Sequence, residues 1–137
     1  MPISRVLIVG ALALMLTSCA SSSGPRQRSE FEDVPVPAGL TLDQDRTTII
    51  ESPTVKAARL FYKGRIAPES LALAYRTSLE ANGWRHVSST TSSAKGTTQV
   101  YEKQDSSLQV MIYEGWYYTW TEVSTTRIVG RAPAPSR

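Results

Sequence analysis

Pro68-Glu-Ser-Leu-Ala-Leu-Ala-Tyr-Arg-Thr-Ser-Leu-Glu-Ala-Asn-Gly-Trp84 decides the fold, because it is the clearest stretch of helical periodicity in the sequence. Leu71, Tyr75 and Leu79 recur every fourth residue with Ala72 and Ala74 alongside, which puts an apolar stripe on one helix face. Pro68 suits a first helical position, where its missing N–H costs nothing and its φ is already set. Glu69 places negative charge at the positive end of the helix dipole. Asn82-Gly83 ends the run, since glycine takes the left-handed cap that other residues resist, and Trp84 can fold back on the last turn. The spacing predicts one helix of about four turns over 68–82.

On both sides of this helix the chain reads as strand. Upstream, Thr47–Glu51 and Val55–Gly64 are joined by Ser52-Pro53-Thr54, a hairpin connection. Ala58, Leu60 and Tyr62 share one face of the second strand, and Arg59, Phe61 and Lys63 share the other. Downstream, Trp84–Thr91, Thr97–Lys103, Leu108–Tyr113 and Thr119–Val129 are rich in the threonine, valine and tyrosine that half-buried pleats favour. Leu108, Val110 and Ile112 alternate cleanly, whereas the last strand alternates less cleanly and is expected to carry a bulge. The order is ββαββββ. The expected class is α+β: one mainly antiparallel twisted sheet of about six strands with a single helix packed on one face.

Such a sheet is roughly 24 Å wide between its outer strands, while a helix is about 10 Å thick. One helix therefore covers two or three strands. The extended segment Asp33-Val-Pro-Val-Pro-Ala-Gly, with Leu40 and Leu42 as anchors, is a candidate cover for part of the remainder. A partner is another.

The N-terminus carries a different signal. Arg5 precedes the uncharged run Val6–Leu16, and Leu16-Thr-Ser-Cys19 follows as a lipobox around the only cysteine of the chain. Eleven apolar residues in a helix reach roughly 16 Å, short of a hydrocarbon core of about 30 Å, so a permanent span is excluded. A plain secretory signal would leave an unpaired thiol in an oxidising compartment. The expected organisation is a lipoprotein signal peptide at 1–18, then acylated Cys19 and a flexible Ser-rich tether through residue 31. A single α+β domain follows at 32–130, and a proline-rich disordered tail at 131–137. Acyl chains at about 0.8 kcal/mol per buried methylene would hold Cys19 on the membrane.

Of 15 basic side chains, only Arg5 lies in the signal, so the remaining 14 face 12 acidic ones, which is no nucleic-acid signature. Acidic residues crowd 26–51 (Glu30, Glu32, Asp33, Asp43, Asp45, Glu51), and basic ones crowd 56–76 (Lys56, Arg59, Lys63, Arg65, Arg76). The two stretches either lie against each other or against solvent, or the basic one meets an acidic partner or anionic headgroup.

Catalytic groups are scarce. His86 is the single histidine and Cys19 is committed to lipid, so neither a zinc site nor a thiolate nucleophile can be built, and no metal or cofactor is expected. Ser92-Ser-Ala-Lys95 matches a Ser-x-x-Lys spacing but falls in a Ser-rich turn. Asp43 and Asp45 have the spacing of a calcium loop without its glycine or other ligands. More informative is Tyr113-Glu-Gly-Trp-Tyr-Tyr-Thr-Trp120, with five rings in eight residues at a hairpin connection. Neighbouring strand residues face opposite ways, so these rings cannot all enter one core. Trp116, Tyr117, Tyr118 and Trp120 are the candidate binding surface, either as a cross-strand aromatic clamp or as a platform for a sugar ring, a peptide or the membrane interface.

Three further stretches carry a resemblance: Asp33-Val-Pro-Val-Pro-Ala-Gly-Leu-Thr-Leu-Asp43, Phe61-Tyr-Lys-Gly-Arg65, and the Glu69-to-Trp84 helix with its Asn-Gly-Trp ending. Together they resemble a group of small bacterial lipoproteins of unassigned function, over roughly residues 32–113. The resemblance implies export and a compact α+β domain, and no reaction. With Ala20, not aspartate, after Cys19, similarity to lipoprotein sorting signals implies the outer membrane. The sequence reading is thus a lipid-anchored, non-catalytic accessory or binding module facing the periplasm, partnered by the membrane and by an envelope protein or glycan. A peptidoglycan or glycan binder using the aromatic hairpin is the alternative, and a hydrolase the third.

Overall fold

The computed structural model describes residue 31 and residues 33–130. Its chain order is β1 (Thr41–Leu42), a 3-10 turn at Gln44–Arg46, β2 (Thr48–Glu51), β3 (Val55–Gly64), α1 (Pro68–Ala81), β4 (Arg85–Ser92), β5 (Gly96–Lys103), β6 (Ser106–Glu114) and β7 (Thr119–Ile128). The class is α+β, one antiparallel sheet with a single helix. Seven strands fill six places, because β1 and β2 share one edge of β3: β2 pairs with Lys56–Arg59 and β1 with Tyr62–Lys63. Across the sheet the order is then β3, β7, β6, β5, β4.

That order follows from the helix. β4–β7 form a meander of neighbouring antiparallel pairs, and α1 carries the chain from β3 to the far edge, so the last strand returns beside β3. β3 and β7 pair over their whole length, Val55 opposite Ile128 and Gly64 opposite Thr119. The β7 register is unbroken; the irregularity expected there lies in β4, between His86 and Ser88.

Leu71, Tyr75 and Leu79 are the buried residues of α1, each fully enclosed, while Leu73 on the same helix is 66 % exposed. Each enclosed side chain contributes about 1.5–3 kcal/mol by leaving water. The stripe packs on β4, β5 and β6, against Tyr101, Leu108, Val110 and Ile112. Gly83, at φ +82°, stops the helix, and the Trp84 N–H returns to the Leu79 carbonyl at 3.0 Å.

The part of the core face beyond the helix is closed by the N-terminal segment. Asp33 is tied to Arg127 (2.7 Å) at the Ser106 end of the sheet, and its carbonyl accepts from Trp84 Nε1 at 2.9 Å. Eight residues later Thr41 pairs with Lys63 near the opposite end. The segment therefore runs the length of β3 and β7, and Phe31, Val34, Leu40 and Leu42 join the core. Phe31, placed in the tether by the sequence reading, is buried: its ring completes the core that the helix leaves open. Among the described residues the acidic and basic stretches meet where Lys56 pairs with Glu51 and Lys63 with Asp43. Among the described residues no helix is long and apolar enough to cross a membrane.

Candidate functional site

β6 and β7 are joined by Gly115–Tyr118, and this turn carries most of the aromatic run. It is closed by the Gly115 N–H donating to the Tyr118 carbonyl (2.8 Å). It is pinned to the β3–α1 connection by Thr119 Oγ1, which donates to the Ile66 carbonyl (2.6 Å). A Cβ on Gly115 would sit 2.7 Å from Trp120 Nε1 and 2.8 Å from its Cδ1, so only glycine lets the indole lie across the base of the turn.

On this fixed base two rings stand in solvent. Trp116 is 91 % exposed and Tyr117 72 %, and they meet edge-on with centroids 6.4 Å apart. Leaving two large rings in water forgoes burial energy, and two adjacent exposed rings make this turn the candidate contact surface. Tyr118 is partly covered, with the Arg65 guanidinium 5.7 Å from its centroid. Trp120 separates from these three. It lies half-buried on the helix-free face of the sheet, under Arg46 (4.8 Å) and Lys63 (5.6 Å). Arg46 also covers Phe61 (4.3 Å), and Arg59 reaches the same ring (5.2 Å) while pairing with Glu122. The Glu122 carboxylate raises the Arg59 pKa by hydrogen bond and charge. Cations stacked on aromatic faces thus finish the bare side of the sheet.

An open cleft of about 340 Å³ lies between the turn and the start of α1, lined by Arg65, Glu69, Glu114, Trp116, Tyr117 and Tyr118 among others. A second cleft of about 280 Å³ shares Pro68, Glu69 and Glu114 with it and continues along Thr91, Ser92, Ser93 and Thr97. The two clefts are neighbours, the first lined by aromatic rings and the second by hydroxyls. Arg65, Glu69 and Glu114 make no ion pair among the described residues. The sequence reading missed this trio: Arg65 and Glu69 flank the helix start, but their approach to Glu114 follows from the β3–β7 pairing, which joins segments far apart in the chain.

The remaining candidates fall elsewhere. His86 sits edge-on against Tyr101 (5.3 Å). Ser92–Lys95 is an exposed turn, closed by the Lys95 N–H on the Ser92 carbonyl. Asp43 faces Lys63, and no cluster of three metal-ligating side chains occurs among the described residues. Cys19, the tether before residue 31 and the 131–137 tail lie outside the described residues.

The clefts and the aromatic turn lie at one pole of the domain, and the chain enters at the other. Asp33 is held by Arg127, which also donates to Ser106 at the first residue of β6, whereas the turn follows Glu114, the last. Eight strand steps of about 3.3 Å separate them by roughly 26 Å. No family model, curated protein or solved structure matches this chain.

Proposed function

We propose that this chain is a lipid-anchored lipoprotein of the cell envelope, a non-catalytic binding module that faces the periplasm and holds its partner on the aromatic turn. The observation that carries the proposal is the exposure of Trp116 and Tyr117 on a turn tied down at Gly115 and Thr119. A turn whose backbone is already fixed lowers the ordering cost of binding to that of the two side chains, which is how a small surface gains affinity. Cys19 in its lipobox supplies the anchor, and Ala20 after it directs the protein to the outer membrane.

The anchor and the turn are tested separately. Mass spectrometry of the membrane-extracted protein is expected to find a chain starting at an acylated Cys19, and Cys19→Ser is expected to release it to the soluble fraction. Trp116→Ala with Tyr117→Ala is expected to keep membrane attachment and lose retention of the partner. Unmodified Cys19 sulfur sinks the anchor; unchanged retention in the double variant sinks the contact surface.

A further inference from the structure

We infer that the occupant of the clefts is an uncharged glycan strand, a chain of neutral or N-acetylated pyranose rings; this rests on the reading of the aromatic turn as the contact surface. The inference comes from the chemistry that surrounds the clefts. A pyranose ring has an apolar C–H face and a rim of hydroxyls. Trp116 and Tyr117 offer exposed aromatic surface for the face. Around them stand the groups a hydroxyl rim needs: the Arg65 guanidinium as a fork of donors, and the Glu69 and Glu114 carboxylates as acceptors. None of the three is spent on an ion pair among the described residues.

Charge decides the class of glycan. One guanidinium stands against two carboxylates in the first cleft, and Glu69 and Glu114 line the second as well. With Lys95 on the exposed turn beside the second cleft, cations and carboxylates balance, so the site offers no excess positive charge to hold acidic polysaccharide, nucleic acid or anionic headgroups. Shape decides that the ligand is extended. The two clefts lie side by side at Pro68, Glu69 and Glu114, which sets the hydroxyls of Thr91, Ser92, Ser93 and Thr97 beside the rings along one surface. Each hydroxyl can donate once and accept twice, as successive sugar units require; those of Thr91 and Thr97 share one bond between them (3.1 Å) and keep the rest of that capacity. A stable protein partner would instead seek about 800 Å² per side with an apolar centre, and the surroundings of these two rings are polar.

The test uses the full chain in detergent micelles, co-sedimented with an insoluble N-acetylhexosamine polymer and titrated with its soluble tetramer. Retention is expected, and it is expected to be nearly independent of salt, as for an uncharged ligand. Trp116→Ala is expected to weaken the tetramer about three- to tenfold, the worth of one aromatic contact. Trp116→Phe is expected to restore most of that loss, and Glu114→Gln to weaken binding without changing the fold. Leu73→Ala, exposed on α1 outside the clefts, is the control. Absence of binding to the polymer and tetramer overturns the inference, as does retention that the Trp116→Ala variant leaves unchanged. If the glycans fail while a photocrosslinker at position 116 still traps an envelope protein, the glycan inference falls and the contact surface stands; if both fail, both fall.

Discussion

Gly115→Ala tests the support of the aromatic turn with a single methyl group. The new Cβ would stand 2.7 Å from Trp120 Nε1, 2.8 Å from Cδ1 and 3.0 Å from the Tyr118 carbonyl oxygen. Trp120 cannot simply swing away, because Arg46 and Lys63 lie over its ring and Thr119 beside it is bonded to Ile66. Overpacking of this kind costs about 1–3 kcal/mol. For a domain of this size that is a fall in Tm of roughly 4–8 °C per kcal/mol. The assay is urea unfolding of the full chain followed by far-UV circular dichroism, repeated in a Trp120→Ala background. There the indole is gone, and the same methyl is expected to be near neutral, giving a coupling of about 1–3 kcal/mol between positions 115 and 120. If Gly115→Ala costs less than about 0.5 kcal/mol, or costs the same in both backgrounds, the indole does not brace the turn.

Three other outcomes follow from the core. Leu79→Ala is expected to cost about 2–5 kcal/mol because the side chain is fully enclosed, whereas Leu73→Ala is expected to stay within about 0.5 kcal/mol; urea midpoints decide both. Thr119→Val removes the 2.6 Å bond to Ile66 and is expected to cost about 1 kcal/mol and to speed hydrogen exchange at Gly115 and Tyr118. Burial raises the pKa of Tyr62 and Tyr75, with Tyr62's charge adding at Tyr75, and burial pushes Tyr101 up to about 12. Tyrosine in the unfolded chain ionises near 10, so this stability is complete below about pH 10 and is lost as pH rises through the folded values. The urea midpoint is expected to fall above about pH 10, and Tyr75→Phe to lessen the fall; a flat profile contradicts this.

The local pattern carried most of the fold. Leu71, Tyr75 and Leu79 mark the buried helix face, and Leu108, Val110 and Ile112 mark a strand whose alternation is unambiguous, so both are legible from spacing alone. Asn82-Gly83 fixes the helix stop for a reason of backbone conformation. The two-residue strand β1 was not legible, because Thr41–Leu42 becomes a strand only by pairing with β3. Phe31 was lost for a related reason: it lies next to a polar stretch, and only the tertiary core makes it an interior residue. At the site, the rings of 116–118 were visible as rings that no single core could hold. The separation of Trp120 and the approach of Arg65 were not, since both depend on β7 pairing with β3 across the whole intervening helix and meander.

That the turn is the working surface is tested most directly by photocrosslinking in intact cells. A benzophenone side chain is placed at position 116 in one strain and at position 50 in another; Ile50 is also exposed but sits on β2, opposite Ala57 and away from the turn. With Cys19 intact, position 116 is expected to give an envelope adduct, whether glycan or protein, and position 50 none. An adduct at 50 with nothing at 116 would contradict the assignment.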